Sequence, residues 1–132
     1  MQLTSTTDEA IRILCLLAES AELMNADAIS SVMGAPVPYV RKIMCGLRRN
    51  ELVTSRMGVN GGYLLARDAA TITLLDVVSS TETTFGVSRS AAVAEDDSAA
   101  ANSLRTVYGK LQKCVEDYLA SVSIQDLLEG NV

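Results

Sequence analysis

Apolar residues recur at helical spacing between Val37 and Arg49, in a segment whose charged positions are all basic. Four of them stand at i, i+3, i+4 and i+7, namely Val40, Ile43, Met44 and Leu47. This spacing predicts a helix with one buried face. Pro38 can begin the helix, since proline in the first turn lacks only an N–H that would have no partner there. The opposite face is predicted to hold a thiol among four cations, which are Arg41, Lys42, Cys45, Arg48 and Arg49.

A short hairpin is predicted to follow this helix, with strands over residues 52–55 and 63–66. The intervening sequence MGVNGG contains three glycines and an asparagine, residues that tolerate the positive φ angles of tight turns. Arg56 and Arg67 flank this turn. A basic helix followed by a basic hairpin is typical of a winged helix-turn-helix. In that fold a recognition helix enters the major groove of DNA, and the wing lies near phosphates or the minor groove.

This pattern predicts two groups of DNA contacts. Tyr39, Arg41 and Lys42 are candidates for reading base edges. The candidates for binding the phosphate backbone lie at the end of the helix and in the wing, and they are Arg48, Arg49, Arg56, Asn60, Gly61 and Gly62. A cationic helix face can equally be an ordinary solvated surface, so the helix alone leaves both interpretations open.

The distribution of charge favours the DNA-binding interpretation. Residues 35–67 contain six cations and one acid, a net charge of +5, whereas residues 68–132 contain four cations and ten acids, a net charge of −6. The net charge of −5 for the whole chain therefore conceals a basic patch on an acidic body. A local basic patch of this kind attracts nucleic acid whatever the net charge of the protein.

Two further helices are predicted before the basic segment. The first is expected to begin near Thr7 as its N-cap, with Asp8 in the first turn, and its side chains are apolar on nearly every side. It therefore requires a second covering surface, either the C-terminal helix or another subunit. The second helix is expected to be capped by Asn25 or Asp27 and to end at Gly34.

The C-terminal half is predicted to contain a capping box at Thr73 and Asp76, a polar loop over residues 81–101 and a long helix over residues 102–122. The long helix carries a wide apolar stripe, formed by Leu104, Val107, Tyr108, Leu111, Cys114, Val115 and Tyr118. The stripe either packs on its own domain or forms a subunit interface, and its width favours the interface. A short helix over residues 124–129 is expected to dock on the domain.

The composition excludes several classes of protein. With 132 residues and 48% hydrophobic content, the chain is predicted to form one domain, or one domain with an appended arm. Its longest early apolar run, Ile13 to Ala18, is far shorter than the roughly 20 residues of a membrane span, so we expect a cytoplasmic protein with no membrane partner. The absence of histidine excludes histidine-based zinc sites and catalytic triads. No nucleophile with its own acid and base stands out, so we do not expect an enzyme.

Four blocks of sequence resemble, in order and spacing, the Rrf2 family of bacterial transcription regulators. These blocks are MQLTSTTDEAIRILCLLA, LRRNELVTS, GVNGGYLLARD and ITLLDVVSS. The resemblance implies a mainly α fold with a small β-hairpin wing. It divides the chain into a winged helix-turn-helix domain over residues 1–80, a flexible loop over residues 81–101, and a dimerisation helix with a short terminal helix over residues 102–132. It also implies a homodimer that binds a palindromic operator in double-stranded DNA.

The chain departs from the family pattern at several positions. Met57 stands where many members have an arginine before the first wing glycine, and Arg56 lies one place earlier. Glu51 stands where glycine is usual, so Asn50 is predicted to end the recognition helix in the left-handed conformation. The iron-sulfur members carry three cysteines in the loop, where this chain has none. Asp8 matches an acid that helps to ligate the cluster in some relatives, but one carboxylate cannot hold a cluster. We therefore expect no cofactor and no metal site.

The sequence thus predicts a DNA-binding transcription regulator, a repressor that acts as a homodimer without an iron-sulfur cluster and whose effector is unknown. The alternative is a winged-helix interaction or scaffold protein that has lost operator binding, which Met57 and the acidic C-terminal half favour. Cys45 is a candidate redox sensor, because its neighbours on the helix face are cationic and oxidants attack thiolates. The other interpretation of Cys45 is a small residue beside Gly46 where the helix comes close to DNA.

Overall fold

Helices and one short hairpin make up the described part of the chain. A computed structural model describes residues 2–20, 22–83, 85–86 and 95–132. The first half contains the helices α1 (Ser5–Glu19), α2 (Ala26–Met33) and α3 (Val37–Arg49) and the antiparallel strands β1 (Val53–Arg56) and β2 (Gly62–Leu65). After a 3₁₀ turn at Ala69–Thr71 come α4 (Leu74–Thr81), the long α5 (Ala99–Ser121) and α6 (Ile124–Glu129). The mainly α fold with a β-hairpin wing that the sequence predicts is confirmed.

The buried face of α3 is the one that its spacing predicts. Val40, Ile43, Met44 and Leu47 are all buried, and the cations on the other face are all exposed. The buried residues of α3 join a core with side chains from α1, α2, β1 and the segment before α4, which include Ile13, Leu14, Ile29, Val53 and Ile72. Because one face of α3 is held in this core, its cationic face is fixed toward solvent.

The N-terminus of α1 differs from the sequence-based prediction. The N-cap is Thr4, whose hydroxyl accepts from the N–H of Thr7, so the assignment of Thr7 as N-cap is wrong. Thr7 is buried within the helix, and its hydroxyl donates to the carboxylate of Glu82 at 2.6 Å. The same Glu82 oxygen accepts from the N–H of Thr4 at 2.8 Å. A carboxylate from the end of α4 therefore satisfies the first turn of α1, and the local sequence does not reveal this partner.

The covering surface that α1 requires comes from α4 and α6. These two helices pack against α1 together with α3 and β2. The sequence predicted that the C-terminal helix or another subunit would cover α1. In the structure the short α6 takes this role, and its Ile124 is fully buried. Main-chain hydrogen bonds secure α6, because Ile124 N–H donates to Ile72 at 2.9 Å and Leu74 N–H donates to Val122 at 2.9 Å. The long helix α5 packs mainly on α4 instead.

The end of α3 contradicts the prediction for Asn50. Asn50 has φ −93°, and Glu51 carries the left-handed conformation with φ 60°. The reason is a hydrogen bond that closes a six-residue turn at the end of the helix, in which Leu52 N–H donates to the carbonyl of Leu47 at 2.9 Å. This motif requires a left-handed residue one place before Leu52. Asn50 contributes through its side chain, whose amide donates to the carbonyl of Gly46 at 2.9 Å.

The remaining boundaries agree with the sequence to within a few residues. Asn25 rather than Asp27 caps α2, and Gly34 ends it with φ 69°. The capping box at Thr73 and Asp76 is present. Each strand is displaced by one residue from its predicted range, and the long helix begins at residue 99, so residues 99–101 are helical rather than part of the predicted loop. Residues 84 and 87–94 of that loop lie outside the described residues.

Candidate nucleic-acid interface

The cations of α3 divide into two groups that face different clefts. Arg41 and Arg48 lie seven residues apart, which is two helical turns, and both line a cleft between α3 and the wing. Lys42 and Arg49 have the same separation and line a second cleft, between α3, the start of α1 and the end of α4. The predicted cationic face is therefore present, and its two edges have different surroundings.

The cleft between α3 and the wing brings three arginines together. Arg41, Arg48 and Arg56 line a space of about 360 Å³ with residues from the wing and from the start of α2. None of the three forms an ion pair with any residue that the structure describes. Asp27 also lines the cleft and partly offsets their charge. Unpaired arginines that converge at the edge of an exposed helix form a surface suited to binding phosphates.

A hydrogen bond joins the wing to α3. The Arg48 guanidinium donates to the hydroxyl of Ser55 on β1 at 3.2 Å. The sequence did not indicate this role for Ser55, because nothing in a local pattern shows which wing residue lies opposite α3. Arg67 follows β2 at the base of the wing, and its partners lie within the same chain. It forms an ion pair with the Asp76 carboxylate at 2.8 Å and donates to the Glu51 carbonyl at 3.3 Å. The basic cleft therefore depends on Arg56 rather than on Arg67.

Two glycines of the wing have packing roles. A Cβ atom on Gly61 would lie 2.2 Å from the carbonyl oxygen of Arg56 and 2.9 Å from that of Gly58. Gly62 is buried, and a Cβ atom there would lie 2.7 Å from the carbonyl carbon of Met24. Both positions exclude a side chain because other main-chain atoms pack against them. Their predicted contribution to DNA binding is therefore at most through the main chain, and it stays a prediction.

The tip of the wing exposes apolar side chains. Met57 is 93% exposed and Val59 is fully exposed, and the polar Asn60 beside them is also exposed. Gly58 between Met57 and Val59 has φ 106°, a conformation that L side chains rarely adopt. The sequence signals this apolar tip only through two apolar residues, Met57 and Val59, within a six-residue turn.

The second cleft contains Tyr39, Lys42, Cys45 and Arg49 in a space of about 470 Å³. The Tyr39 hydroxyl is 3.2 Å from that of Thr6 in α1, and the two share a hydrogen bond. Tyr39 is also half-buried. Its position on the predicted helix did not indicate this contact with α1. Arg49 donates weakly to the Cys45 sulfur, at 3.9 Å. Cys45 is exposed, as the sequence predicted.

The apolar stripe of α5 lies largely at the surface. Val107 is 56% exposed, Leu111 46% and Tyr118 59%, whereas Ala101 is the buried residue of this helix. Cys114, another member of the stripe, is exposed as well. The remaining members of the predicted interface are half-buried, and they are Leu104, Tyr108 and Val115. Exposed apolar side chains at heptad spacing are typical of a helix that packs against another chain.

Comparison with known proteins identifies the family. The model of the Rrf2 family, described as an iron-dependent transcriptional regulator, matches residues 3–130. Protein aau3 of Rhizobium meliloti is 33% identical over 133 residues, covering 98% of this chain and 86% of that protein. The HTH-type transcriptional regulator IscR of Xenorhabdus nematophila is 27% identical over 133 residues, covering 98% of this chain and 80% of that protein.

The ligands present do not fit the iron that the family description implies. The cysteines are separated on three helices, with Cys15 half-buried in α1, and Cys45 and Cys114 exposed on α3 and α5. Within residues 2–20, 22–83, 85–86 and 95–132, no three Cys, Asp or Glu side chains lie close enough together to hold a metal ion. Burial raises the pKa of the Cys15 thiol, and the charge of Glu19 adds to the effect, so Cys15 favours the protonated form rather than the thiolate that binds metals.

The fold supports the same relationship as the sequence. A crystal structure of a Listeria innocua protein superposes with a TM-score of 0.84 at 25% identity, covering 100% of this chain and 89% of that one. The described part of the chain contains no helix that is long and apolar enough to cross a membrane. A family model that matches nearly the whole length, together with a winged helix that carries a cationic cleft, establishes that the chain belongs to the Rrf2 family of DNA-binding transcriptional regulators.

Proposed function

We propose that this protein is a transcriptional repressor that binds a palindromic operator as a homodimer, without an iron-sulfur cluster. The observation that carries the proposal is the convergence of Arg41, Arg48 and Arg56 on one cleft between α3 and the wing. A small dimer on its operator excludes other proteins from the same DNA, which is the physical basis of repression. We expect it to act in the bacterial cytoplasm, where the DNA is found.

Phosphate binding supplies the sequence-independent part of the affinity. Arg48 and Arg49 at the end of α3, and Arg56 in the wing, engage the backbone on either side of the groove that α3 enters. The hydrogen bond from Arg48 to Ser55 favours a conformation in which its guanidinium faces the wing side of the cleft. Asn60, which is exposed at the wing tip, is a candidate for a further backbone contact, whereas the N–H of Gly61 already donates to the Gly58 carbonyl.

Base recognition falls to the first half of α3. Arg41 and Lys42 are exposed and lie one to two turns from the start of the helix, where side chains of a recognition helix reach base edges. Arg41 is suited to a guanine, because its guanidinium can donate to O6 and N7 together. Tyr39 is assigned a smaller part in recognition, since its hydroxyl is shared with Thr6.

The homodimer is assigned to the stripe on α5. Val107, Leu111 and Tyr118 leave about half of their surface exposed to water, and a second copy of the helix can cover them. A two-fold dimer places two recognition helices on one face of the duplex, with half-sites about one helical turn apart or slightly more. The competing function, an interaction or scaffold protein without an operator, requires the same dimer but no DNA affinity.

The experiment that tests the proposal is a titration with an operator duplex, selected from a random pool, at several salt concentrations. Replacing Arg48 and Arg49 with alanine is expected to weaken binding to every sequence. It is also expected to flatten the salt slope, which is the slope of the logarithm of the binding constant against the logarithm of the salt concentration, by about 1 to 2 units. Replacing Arg41 is expected to relax preference at one base pair instead. Lys110→Ala on α5 is the control, since it removes an exposed cation away from the cleft. Wild-type affinity and slope in the double variant would reject DNA binding by α3.

A further inference from the structure

We infer that the tip of the wing is an apolar contact for the minor groove of DNA, made by the side chains of Met57 and Val59. The inference rests on the proposed function and adds to it a contact that does not depend on charge. Met57 and Val59 are 93% and 101% exposed. Folding of the single chain therefore gains almost nothing from either side chain, and a role outside the chain accounts for them better.

The surroundings of the tip determine what the partner is. Met57 and Val59 line the same cleft as Arg41, Arg48 and Arg56. A partner that covers the two apolar side chains must also accept three guanidinium groups at its edge. Duplex DNA has this combination, because its phosphates flank grooves whose walls are apolar sugar edges. An apolar protein surface would leave the three charges buried without partners, at a large cost in free energy.

A hydrogen bond within the tip closes its main chain into a turn. Gly61 N–H donates to the carbonyl of Gly58 at 3.0 Å and closes the turn. The absence of space for a Cβ atom at Gly61 shows that the main chain at Arg56 and Gly58 packs directly against it. Met57 and Val59 thus stand on a closed turn with their side chains almost fully exposed to solvent. Because the turn is already closed, less conformational entropy of the main chain is lost on binding, and the apolar contact contributes more to the free energy of binding.

Methionine is among the apolar side chains that proteins insert between base steps in the minor groove. Removal of apolar surface from water is not screened by salt. The wing tip is therefore expected to add affinity without adding to the salt slope, in contrast to the arginines of the cleft. The contact also favours sequences whose base steps separate easily, such as pyrimidine–purine steps, at the position of the wing.

The test compares serine and arginine variants in the salt titration on the selected operator. Met57→Ser combined with Val59→Ser is expected to weaken binding about tenfold with an unchanged salt slope, in line with the loss of two partly buried apolar side chains. Met57→Arg is expected to steepen the slope by about 1 unit, since it adds one phosphate contact. Val132→Ser is the matched control, because Val132 is 73% exposed at the other end of the chain.

The results distinguish an apolar DNA contact of the wing tip from electrostatic binding and from a protein partner. Wild-type affinity in the serine pair overturns the inference, and so does a flattened slope, which would assign the tip to electrostatic binding. A change of oligomeric state in the serine pair, measured by light scattering, would assign the tip to a protein partner and overturn it too. The Arg48 and Arg49 variants, measured in parallel, report on DNA binding itself. If they lose affinity while the serine pair does not, the proposed function stands and only the wing-tip contact fails.

Discussion

The main chains of Met24 and Tyr63 are joined by a pair of hydrogen bonds. Tyr63 N–H donates to the Met24 carbonyl at 2.8 Å, and Met24 N–H donates to the Tyr63 carbonyl at 3.3 Å. This isolated bridge attaches strand β2 of the wing to the residues just before α2. The wing is therefore held at both sides, by this bridge and by the contact between Arg48 and Ser55.

Gly62→Ala is expected to release the wing from this bridge. The added methyl group would lie 2.7 Å from the carbonyl carbon of Met24, so main-chain atoms must move. Such overpacking costs about 1 to 3 kcal/mol of stability. Thermal unfolding measures this loss, and operator binding should weaken because Met57 and Arg56 shift with the wing.

The control for the stability measurement is Gly46→Ala. A Cβ atom at Gly46 meets nothing within 4 Å, and the residue lies within α3, where alanine is favoured over glycine by about 0.5 to 1 kcal/mol. We expect Gly46→Ala to be neutral or stabilising. A Gly62→Ala variant as stable as wild type would show that the wing does not require the close approach at Met24.

The buried face of α3 could be predicted from the sequence, whereas the requirement for glycine at position 62 could not. The buried face of α3 follows from a period of 3.6 residues, which is local, and all four predicted residues are buried. The requirement for glycine at Gly62 depends on Met24, which lies far away in the sequence. Thr7 and Glu82 illustrate the same limit, because a hydroxyl near a helix start suggests a cap until a distant carboxylate binds it.

Within the candidate site, the cations were predictable and their grouping was not. Charge partition and spacing identify Arg41, Lys42, Arg48 and Arg49 as one exposed face. The division of this face between two clefts depends on where the wing and α4 pack, and only the fold provides that information. The distinction between Arg56, which lines the cleft, and the paired Arg67 arises in the same way.

Glu51→Gly is expected to stabilise the protein. Glu51 has φ 60°, and a non-glycine residue in this conformation carries a cost of about 1 to 2 kcal/mol that glycine avoids. The greater freedom of glycine in the unfolded chain offsets part of the gain. A net increase of roughly 1 kcal/mol in the free energy of unfolding should appear in denaturant titration.

Glu51→Gln separates the conformational effect from the effect of charge. It retains a side chain at φ 60° but removes the only acid among residues 35–67. We expect the glutamine variant to have wild-type stability and slightly tighter DNA binding, since the basic patch loses a repulsive charge. Equal stabilisation by glutamine and glycine would show that charge, rather than the left-handed conformation, limits stability at this position.

Leu111→Glu is expected to prevent dimer formation. Leu111 is 46% exposed in the middle of the α5 stripe, and a carboxylate there would have to be buried against the second copy without a partner. The dissociation constant of the dimer should rise about a hundredfold or more, which light scattering across a concentration series can measure. Lys110→Glu provides the control, because it alters charge at the neighbouring exposed position. A wild-type protein that is monomeric at micromolar concentration would remove the basis for this prediction.

The three thiols are expected to react with iodoacetamide in a fixed order. Burial raises the pKa of Cys15, with Glu19 as the second cause, so this thiol remains protonated across the neutral range and reacts slowly. Cys45 and Cys114 are exposed on the single chain. In a dimer formed through α5, Cys114 is covered, so Cys45 should be modified first, as mass spectrometry of the labelled peptides would show.

Two comparisons test this order and its consequence for regulation. Cys114 should become more reactive in the Leu111→Glu variant than in the wild type, and Cys15 should gain reactivity as the pH rises toward its elevated pKa. Mild peroxide should then weaken operator binding by the wild type and not by Cys45→Ser, because oxidation adds bulk, and beyond the sulfenic acid also negative charge, beside Arg49, which lies 3.9 Å from the sulfur. If both proteins respond alike, or neither responds, Cys45 is not a sensor. A Cys15 that reacts as fast as Cys45 at neutral pH would contradict the burial of Cys15.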